Sequence, residues 1–166
     1  MRVPLPQLEG DPIVERWFVP GPVRRGLQDG IEFATDGRTW FGHVRARAVV
    51  PGDLEAAARS AYARILALLD ADARAEPYRF WNCLPGINEY ESGTERYQLF
   101  CRGRSLAFEE HFGASFPARL PAASAVGSEA EDLGVYCLAG QEPASHLENE
   151  GQVSAWLYPP CHGPRS

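Results

Sequence analysis

The sequence predicts an α+β fold in which both helices cover one face of a β-sheet. Apolar residues recur with helical spacing in two stretches, 53–69 and 92–112. Short apolar or alternating runs typical of strands precede, separate and follow those stretches. The resulting order of strands, helix, strand, helix and strands is typical of two packed layers. The 166 residues, 45% of them hydrophobic, are enough for one compact domain with its own core.

The chain is expected to begin with an irregular segment. Residues 1–22 contain five prolines, which are too closely spaced for a helix. Between them, the apolar run 13–19 fits a first strand. Arg24 and Arg25, next to Gly26, suggest a solvated turn.

Residues 31–35 and 39–50 predict a β-hairpin, because the Asp-Gly pair between them tolerates the positive φ that tight hairpins require. In its second arm, His43, Arg45 and Arg47 project to one side of the strand. That side is either the solvent face of an antiparallel sheet, which we favour, or an anion-binding face.

The first helix is predicted to begin after Asp53, whose side chain suits the N-cap position. An apolar stripe continues to Leu69, so this helix mainly buries one face on a sheet, and we assign it no chemistry. The aromatic run 78–84 then predicts a buried strand that ends at the turn residues Pro85 and Gly86.

The second helix carries the clearest chemical signal. Ser92 and Glu95 have the spacing of a capping box, and Gly113 is suited to end the helix. Two of the eight residues on its main face are polar. The eight residues are Tyr97, Phe100, Cys101, Arg104, Ala107, Phe108, His111 and Phe112. Because arginine stays charged in proteins, Arg104 needs carboxylate, carbonyl or anionic-ligand partners. A structural clamp is the simpler alternative to a ligand contact.

The last part of the chain predicts three strands. Residues 118–127 are small and apolar and indicate an inner strand. An acidic turn, 129–132, leads to a strand over 133–140. After a polar loop, 141–150, the alternating run 153–158 predicts the final strand.

Composition excludes several classes of function. All 16 basic residues are arginine, so chemistry that needs a lysine, such as a Schiff base or a phosphate-loop lysine, is excluded. The net charge of −6 gives no electrostatic attraction to nucleic acid or to anionic membranes. The chain lacks an apolar run of membrane-spanning length and a signal-peptide pattern, so we expect a cytoplasmic protein.

Cysteine and histidine usage gives no metal or cofactor signal. Of the four cysteines, Cys83, Cys101 and Cys137 lie in apolar segments, as buried thiols do in a reducing compartment. Cys161 and His162 form the one adjacent pair, which is too few ligands for a zinc site. A nucleotide-binding glycine loop and a nucleophile elbow are also missing from the sequence. We therefore expect neither metal nor cofactor.

Several short blocks from Tyr78 to the end resemble the signature of the FkbO-type chorismatase family. They are Trp81-Asn82, Pro85-Gly86-Ile87-Asn88, Glu95-Arg96-Tyr97, Phe100, Gly103-Arg104, Ala107-Phe108, Leu120-Pro121-Ala122-Ala123-Ser124-Ala125-Val126-Gly127, Gln152-Val153-Ser154-Ala155, Tyr158-Pro159 and Gly163-Pro164-Arg165-Ser166. The resemblance implies a YjgF/RidA-like (chorismate-mutase-like) fold, a mixed sheet with two helices packed on one face. On that basis we expect one domain over 1–166, with 1–22 irregular.

The resemblance extends to the amino-terminal half of the family alone. The residues that the family uses for chorismate hydrolysis lie mainly in its second half, so none is carried over to this chain. Residues 149–152, Asn-Glu-Gly-Gln, stand where the family usually has Asn-Pro-Arg-Gln, which exchanges a positive for a negative charge. His162 stands in place of a tyrosine.

The residues themselves predict a site for a small carboxylate. Arg104, alone or with Arg79 or Arg96, would hold the carboxylate bidentately. The predicted apolar walls are Trp81, Tyr97 and Phe100. The groups predicted to move a proton are Glu89, Glu91, Glu95 and His111.

Two functions are consistent with this sequence. The first, which we favour, is a small enzyme of specialised (secondary) metabolism that acts on a chorismate-derived or other small cyclic or aromatic carboxylate. Its acid/base chemistry would be elimination, isomerisation or hydrolysis. The second is a non-catalytic domain that binds a separately encoded catalytic partner. Because YjgF/RidA-like proteins are usually trimers with ligand clefts between subunits, the resemblance implies a homotrimer or a complex with a partner, with Leu99 and Leu106 as one contact.

Overall fold

A computed structural model of the chain describes residues 3, 5, 9–11, 14–47, 53–73, 75–113, 116, 119–145 and 151. Within these residues the chain forms eight strands and two α-helices. In order they are β1 (Arg24–Gln28), β2 (Ile31–Thr35), β3 (Thr39–Ala46), α1 (Leu54–Leu68), β4 (Glu76–Pro85), β5 (Tyr90–Glu91), β6 (Thr94–Glu95), α2 (Arg96–Phe112), β7 (Ala122–Ser128) and β8 (Leu133–Gly140). A π-helical segment, Leu69–Ala73, extends α1.

Six strands form one mixed sheet in the order β1-β2-β3-β8-β4-β7. Neighbouring strands are antiparallel except β4 and β7, which run parallel and are connected through α2. Strands β5 and β6 form a separate two-stranded hairpin. The expected α+β architecture, a mixed sheet with two helices, is therefore confirmed.

Both helices pack against the same face of the sheet. Tyr62 of α1 lies 4.6 Å from Phe80 of β4, and Phe108 of α2 lies 5.9 Å from the same ring, measured between ring centroids. Because side chains alternate along a strand, Arg79 and Trp81 point away from the helices. We call this opposite side of the sheet the helix-free face.

The hairpin, the first helix and the strands over 78–84 and 133–140 occur as predicted, but two N-terminal predictions are wrong. Residues 14–19, the described part of the predicted first strand, have no regular secondary structure. Arg24–Gln28 forms β1 rather than a turn. The turn lies at Asp29 and Gly30, whose φ angles of 49° and 74° suit a tight hairpin between β1 and β2.

The start of the second helix also differs from the prediction. Ser92 and Gly93, with φ angles of 51° and 81°, form the turn between β5 and β6, so the capping box is wrong. Helix α2 begins at Arg96, and its preceding residue Glu95 makes no side-chain capping bond. The N–H of Arg96 instead donates to the carbonyl oxygen of Glu89 at 2.9 Å. A backbone carbonyl of the folded-back loop, rather than a side chain, thus accepts a hydrogen bond from the first N–H group of the helix.

The predicted inner strand lies at one end of the described sheet. Strand β7 pairs with β4 alone among the described strands, and all 7 of its residues are exposed or half-buried. Within the described residues, the small side chains of β7 thus lie at an edge of the sheet. The final strand predicted over 153–158 lies outside the described residues.

Candidate functional site

The predicted site residues on α2 lie far apart. Glu95 and His111 are separated by 16 positions, which corresponds to about 24 Å along a helix at about 1.5 Å per residue. A small ligand within one chain therefore cannot contact both. Arg104 lies between them on α2 and is buried, whereas Glu95 and His111 are half-buried.

Arg104 is part of a polar chain in the core. Its guanidinium lies 5.3 Å from the ring centroid of Phe100 and beside the hydroxyl of Tyr62, and 7% of the residue is exposed. The Tyr62 hydroxyl donates to Oδ1 of Asn82 at 2.9 Å, and Nδ2 of Asn82 donates to the Ser124 carbonyl at 2.9 Å. Burial raises the pKa of Tyr62 to about 12, so its hydroxyl stays protonated. This chain joins α2, α1, β4 and β7.

Arg96 is a clamp between the hairpin and the end of β4. Its Nε donates to the Pro85 carbonyl at 2.9 Å, and its guanidinium pairs with Glu91 at 2.5 Å. Side-chain exposure is 17% for Arg96 and 8% for Glu91, so this ion pair is buried. Arg96, predicted as a possible second carboxylate anchor beside Arg104, is thus occupied by partners within this chain. Glu89 lies exposed in the preceding turn.

His111 lies at the far end of α2. Its Nε2 is 3.7 Å from a carboxylate oxygen of Asp70, and it lines a cavity of about 300 Å³. The other charges in this cavity are paired, because Arg119 donates to both oxygens of Glu76 at 2.6 and 2.7 Å. Tyr97 is half-buried and stacks on Phe100, away from this cavity.

Arg79 and Trp81 lie on the helix-free face. The Arg79 guanidinium sits 5.2 Å from the Trp81 ring centroid, and both residues are partly exposed. The structure records no ion pair for Arg79 within the part of the chain that it describes. Of the three arginines predicted to hold a carboxylate, Arg79 is thus the one on a sheet surface. Arg96 is half-buried and paired with Glu91, and Arg104 is buried beside Tyr62.

Cross-strand register places further aromatic and polar residues next to this pair. One row runs from β3 to β7 through His43, Tyr136, Trp81 and Ser124. The neighbouring row contains Phe41, Leu138, Arg79 and Ala122. Trp17 stacks on Phe41 at 5.9 Å and meets Trp81 edge-on at 6.2 Å. We call the group Trp17, Phe41, His43, Arg79, Trp81 and Tyr136 the face site.

His43 does not lie in solvent, so that prediction is wrong for this residue. Its ring stacks on Tyr136 at 5.2 Å with an interplanar angle of 11°, and 5% of the residue is exposed. Burial lowers the pKa of His43, and the charge of Glu32 on the neighbouring strand partly opposes this. His43 is therefore neutral near pH 7. Arg45 and Arg47 are exposed, as expected.

Sequence reasoning missed Phe41, Tyr136 and Trp17 as site residues. The alternation within each strand indicates which side chains share a side of that strand. It gives neither the order of strands nor their register, and both are needed to place Tyr136 between His43 and Trp81.

Thiol and metal chemistry have no visible basis in this region. Burial raises the pKa of Cys83 and of Cys137, so both stay protonated at neutral pH. Among the described residues, no group of three or more His, Cys, Asp or Glu side chains is arranged to hold a metal ion. Neither described helix is long and apolar enough to cross a membrane.

The domain is thus an α+β unit whose helix-free face combines aromatic rings with an arginine and a buried histidine. Residues 15–139 match the family described as chorismatase FkbO/Hyg5-like, N-terminal. The chain belongs to this family, which confirms the resemblance seen in its sequence.

Named relatives agree with this assignment. The chain is 35% identical over 158 residues to a 3-hydroxybenzoate synthase of Streptomyces hygroscopicus, covering 94% of this chain and 45% of that protein. It is 30% identical over 161 residues to a chorismatase of Streptomyces rapamycinicus, covering 95% and 46%. A chorismatase crystal structure matches with a TM-score of 0.76 at 30% identity, covering 87% of this chain and 43% of the other. The chain thus spans less than half the length of these relatives.

Proposed function

We propose that the chain binds a chorismate-derived or other small cyclic or aromatic carboxylate at the face site. There it would act in specialised metabolism by acid/base chemistry, namely elimination, isomerisation or hydrolysis. The observation that carries this proposal is the Arg79 guanidinium stacked on Trp81 at 5.2 Å, on a face lined by aromatic rings.

The chemistry of the face site supports this ligand class. A guanidinium binds a carboxylate through two parallel charge-assisted hydrogen bonds. Trp81 and Phe41, whose rings are 6.2 Å apart, offer flat apolar surfaces to a ligand ring. The relatives named 3-hydroxybenzoate synthase and chorismatase point to the same class, because hydroxybenzoate and chorismate are both small cyclic carboxylates.

The proposal assigns different roles to the residues predicted from sequence. Arg79 replaces Arg104 as the carboxylate anchor, because Arg104 is engaged with Tyr62 in the core. Phe100 and Tyr97 act as core supports of α2 rather than ligand walls. Glu89, Glu95 and His111 stay predicted proton-transfer groups for a ligand shared between subunits, because α2 lies on the other side of the sheet from the face site of its own chain.

Replacing Arg79 by glutamine is expected to weaken binding of 3-hydroxybenzoate by about 10- to 100-fold, because a charge-assisted bidentate contact is lost. Isothermal titration calorimetry measures this change. Arg25→Gln is the matched control, since Arg25 is an exposed arginine on the outer strand β1 of the same sheet. Equal affinity of wild type and Arg79→Gln would contradict the proposed anchor. The same proteins incubated with chorismate, with products followed by chromatography, test for turnover.

Exposed apolar side chains favour a second candidate function, a non-catalytic domain that binds a separately encoded catalytic partner. Phe18 is 87% exposed, Trp17 48% and Val126 43%. Val126 follows Ser124 on the same side of β7, so apolar exposure continues across the helix-free face. Such a surface also suits contact between copies of this chain.

Sedimentation velocity distinguishes these assemblies. If the ligand clefts lie between identical subunits, the purified chain is expected to sediment as a trimer. Val126→Glu is then expected to shift the trimer toward monomer. A stable monomer that binds 3-hydroxybenzoate would contradict the need for any assembly. A monomer that binds no carboxylate would instead support the partner function.

A further inference from the structure

We propose that His43 contacts the ligand of the face site directly, exchanging a hydrogen bond and a proton with a ligand hydroxyl group. The ligand class is then a cyclic or aromatic carboxylate that also bears a hydroxyl. This inference rests on the proposed function, because Arg79 would hold the carboxylate end of the same molecule.

The first support is the burial of a polar ring. His43 is 5% exposed, and its Nδ1 is buried and makes no hydrogen bond within the described part of the chain. Buried polar atoms in folded proteins nearly always have a partner. Tyr136 stacks on the imidazole of His43 face to face. Imidazole nitrogens form hydrogen bonds in the plane of their ring, so this stacking gives neither nitrogen a hydrogen-bond partner.

The second support is distance. His43 lies on β3 and Arg79 on β4, with β8 between them, so the two strands are about 10 Å apart at the usual spacing. Their rows are adjacent, and both side chains project from the helix-free face. A six-membered ring with a carboxylate and a hydroxyl can span this gap with one hydrogen bond at each end. Trp81 and Phe41 would lie against the ring.

The two charged side chains around His43 act in opposite directions on its imidazolium form, because Glu32 favours it and Arg45 disfavours it. Glu32 faces it from β2, Arg45 is the next residue on the same side of β3, and Tyr136 faces it from β8. Burial keeps the imidazole neutral, so one nitrogen can accept a proton. The ligand O–H bond would break as an N–H bond forms, leaving an alkoxide or phenolate and an imidazolium. The negative charge of Glu32 would stabilise that imidazolium, and the reverse step would return the proton.

Trp17 covers part of the face site. The Trp17 ring covers Phe41 and the edge of Trp81, next to the His43 row, and 48% of it is exposed. The structure records ring contacts but no hydrogen bond for Trp17 within the described residues. A ligand ring can therefore take its place on Phe41 and Trp81 without breaking a polar contact.

The test compares benzoate with 3-hydroxybenzoate, which differ by the hydroxyl alone. In wild type at pH 7.5 we expect 3-hydroxybenzoate to bind about 3- to 10-fold more tightly, the value of one hydrogen bond. His43→Phe keeps a flat ring on Tyr136 but has no nitrogen. It should bind both ligands with the affinity that wild type has for benzoate. Tyr90→Phe is the control, because Tyr90 is 75% exposed in the separate hairpin of β5 and β6, and it should keep the wild-type preference.

The pH dependence adds a readout that a purely structural role would not change. The hydroxyl preference of wild type should decline as the pH falls below 6.5, because a protonated imidazole no longer accepts a proton. Should His43→Phe fold poorly, the imidazole NMR signals of wild type serve instead. Those of His43 should shift with 3-hydroxybenzoate and stay unchanged with benzoate.

The possible outcomes separate this inference from the proposed function. If Arg79→Gln weakens binding but His43→Phe keeps the hydroxyl preference, His43 has no ligand contact and the proposed function stands. If wild type binds neither acid, the proposed function fails first. If the His43 signals stay unchanged with both ligands, the inference is also overturned, because the ligand then does not contact the imidazole.

Discussion

Replacing Gly103 by alanine is expected to lower the free energy of unfolding by about 2 kcal/mol or more, although alanine is the better helix former. Helix propensity alone predicts a gain of about 1 kcal/mol for this change inside α2. A methyl group at Gly103 would, however, overlap the carbonyl oxygen of Glu55 and lie 2.9 Å from its carbonyl carbon. Because the obstacle is the backbone of α1, it cannot rotate away, and the two helices must separate.

Urea denaturation of wild type and Gly103→Ala measures this difference in the free energy of unfolding. In thermal denaturation, the expected fall in melting temperature is roughly 4 to 8 °C for a chain of this size. Arg102→Ala is the neighbouring control. Its side chain is 44% exposed and 3.7 Å from Glu55, a surface pair worth at most about 1 kcal/mol. A more stable Gly103→Ala protein would show that the helices are not in this close contact.

Replacing Arg96 by methionine is expected to cost about 3–5 kcal/mol, because it removes one partner of a buried ion pair. Glu91 is 8% exposed at its side chain, and its Oε1 has no hydrogen-bond partner in the described residues. Loss of Arg96 would leave this carboxylate buried without its counter-charge. The Pro85 carbonyl would lose its donor as well. Chemical denaturation followed by circular dichroism provides the measurement.

A double-mutant cycle separates this electrostatic cause from loss of packing. Glu91→Gln removes the charge at nearly constant shape, so the Arg96→Met/Glu91→Gln protein should be more stable than the sum of the single changes by about 1–3 kcal/mol. Additive effects would mean that the pair contributes little. Carboxylate affinity should be the same in every folded variant, because Arg96 lies inside the domain rather than on the helix-free face.

Local sequence patterns predicted the secondary structure well where the signal was strong. The apolar stripe of α1, the aromatic run of β4 and the apolar run of β8 each identified their element. The predictions failed where two local signals competed. Ser92 suited a helix cap, but with Gly93 it also suited a tight turn, and the carbonyl of Glu89 folds back to satisfy the N–H of Arg96.

The candidate site could be predicted only in part. Helical periodicity correctly placed Arg104 on the buried side of α2, but it could not show that Tyr62, 42 positions earlier, would meet its guanidinium. Arg79 and Trp81 were predicted as ligand residues from their chemistry, without their neighbours. Tyr136 and His43 join them only through the pairing of β8 with both β3 and β4.

By itself, the sequence determined the α+β class, the arginine-only basic set and the family, because composition, periodicity and short motifs are local properties of a chain. Our preference for Arg79 over Arg96 and Arg104 as the proposed anion anchor rests on the tertiary structure alone. Each of them has an aromatic residue within four positions in the sequence. Helix packing brings Arg104 to Tyr62, the folded-back hairpin holds Arg96 against Glu91 and the Pro85 carbonyl, and strand order leaves Arg79 on the helix-free face. These contacts depend on how the elements pack, which local patterns do not specify.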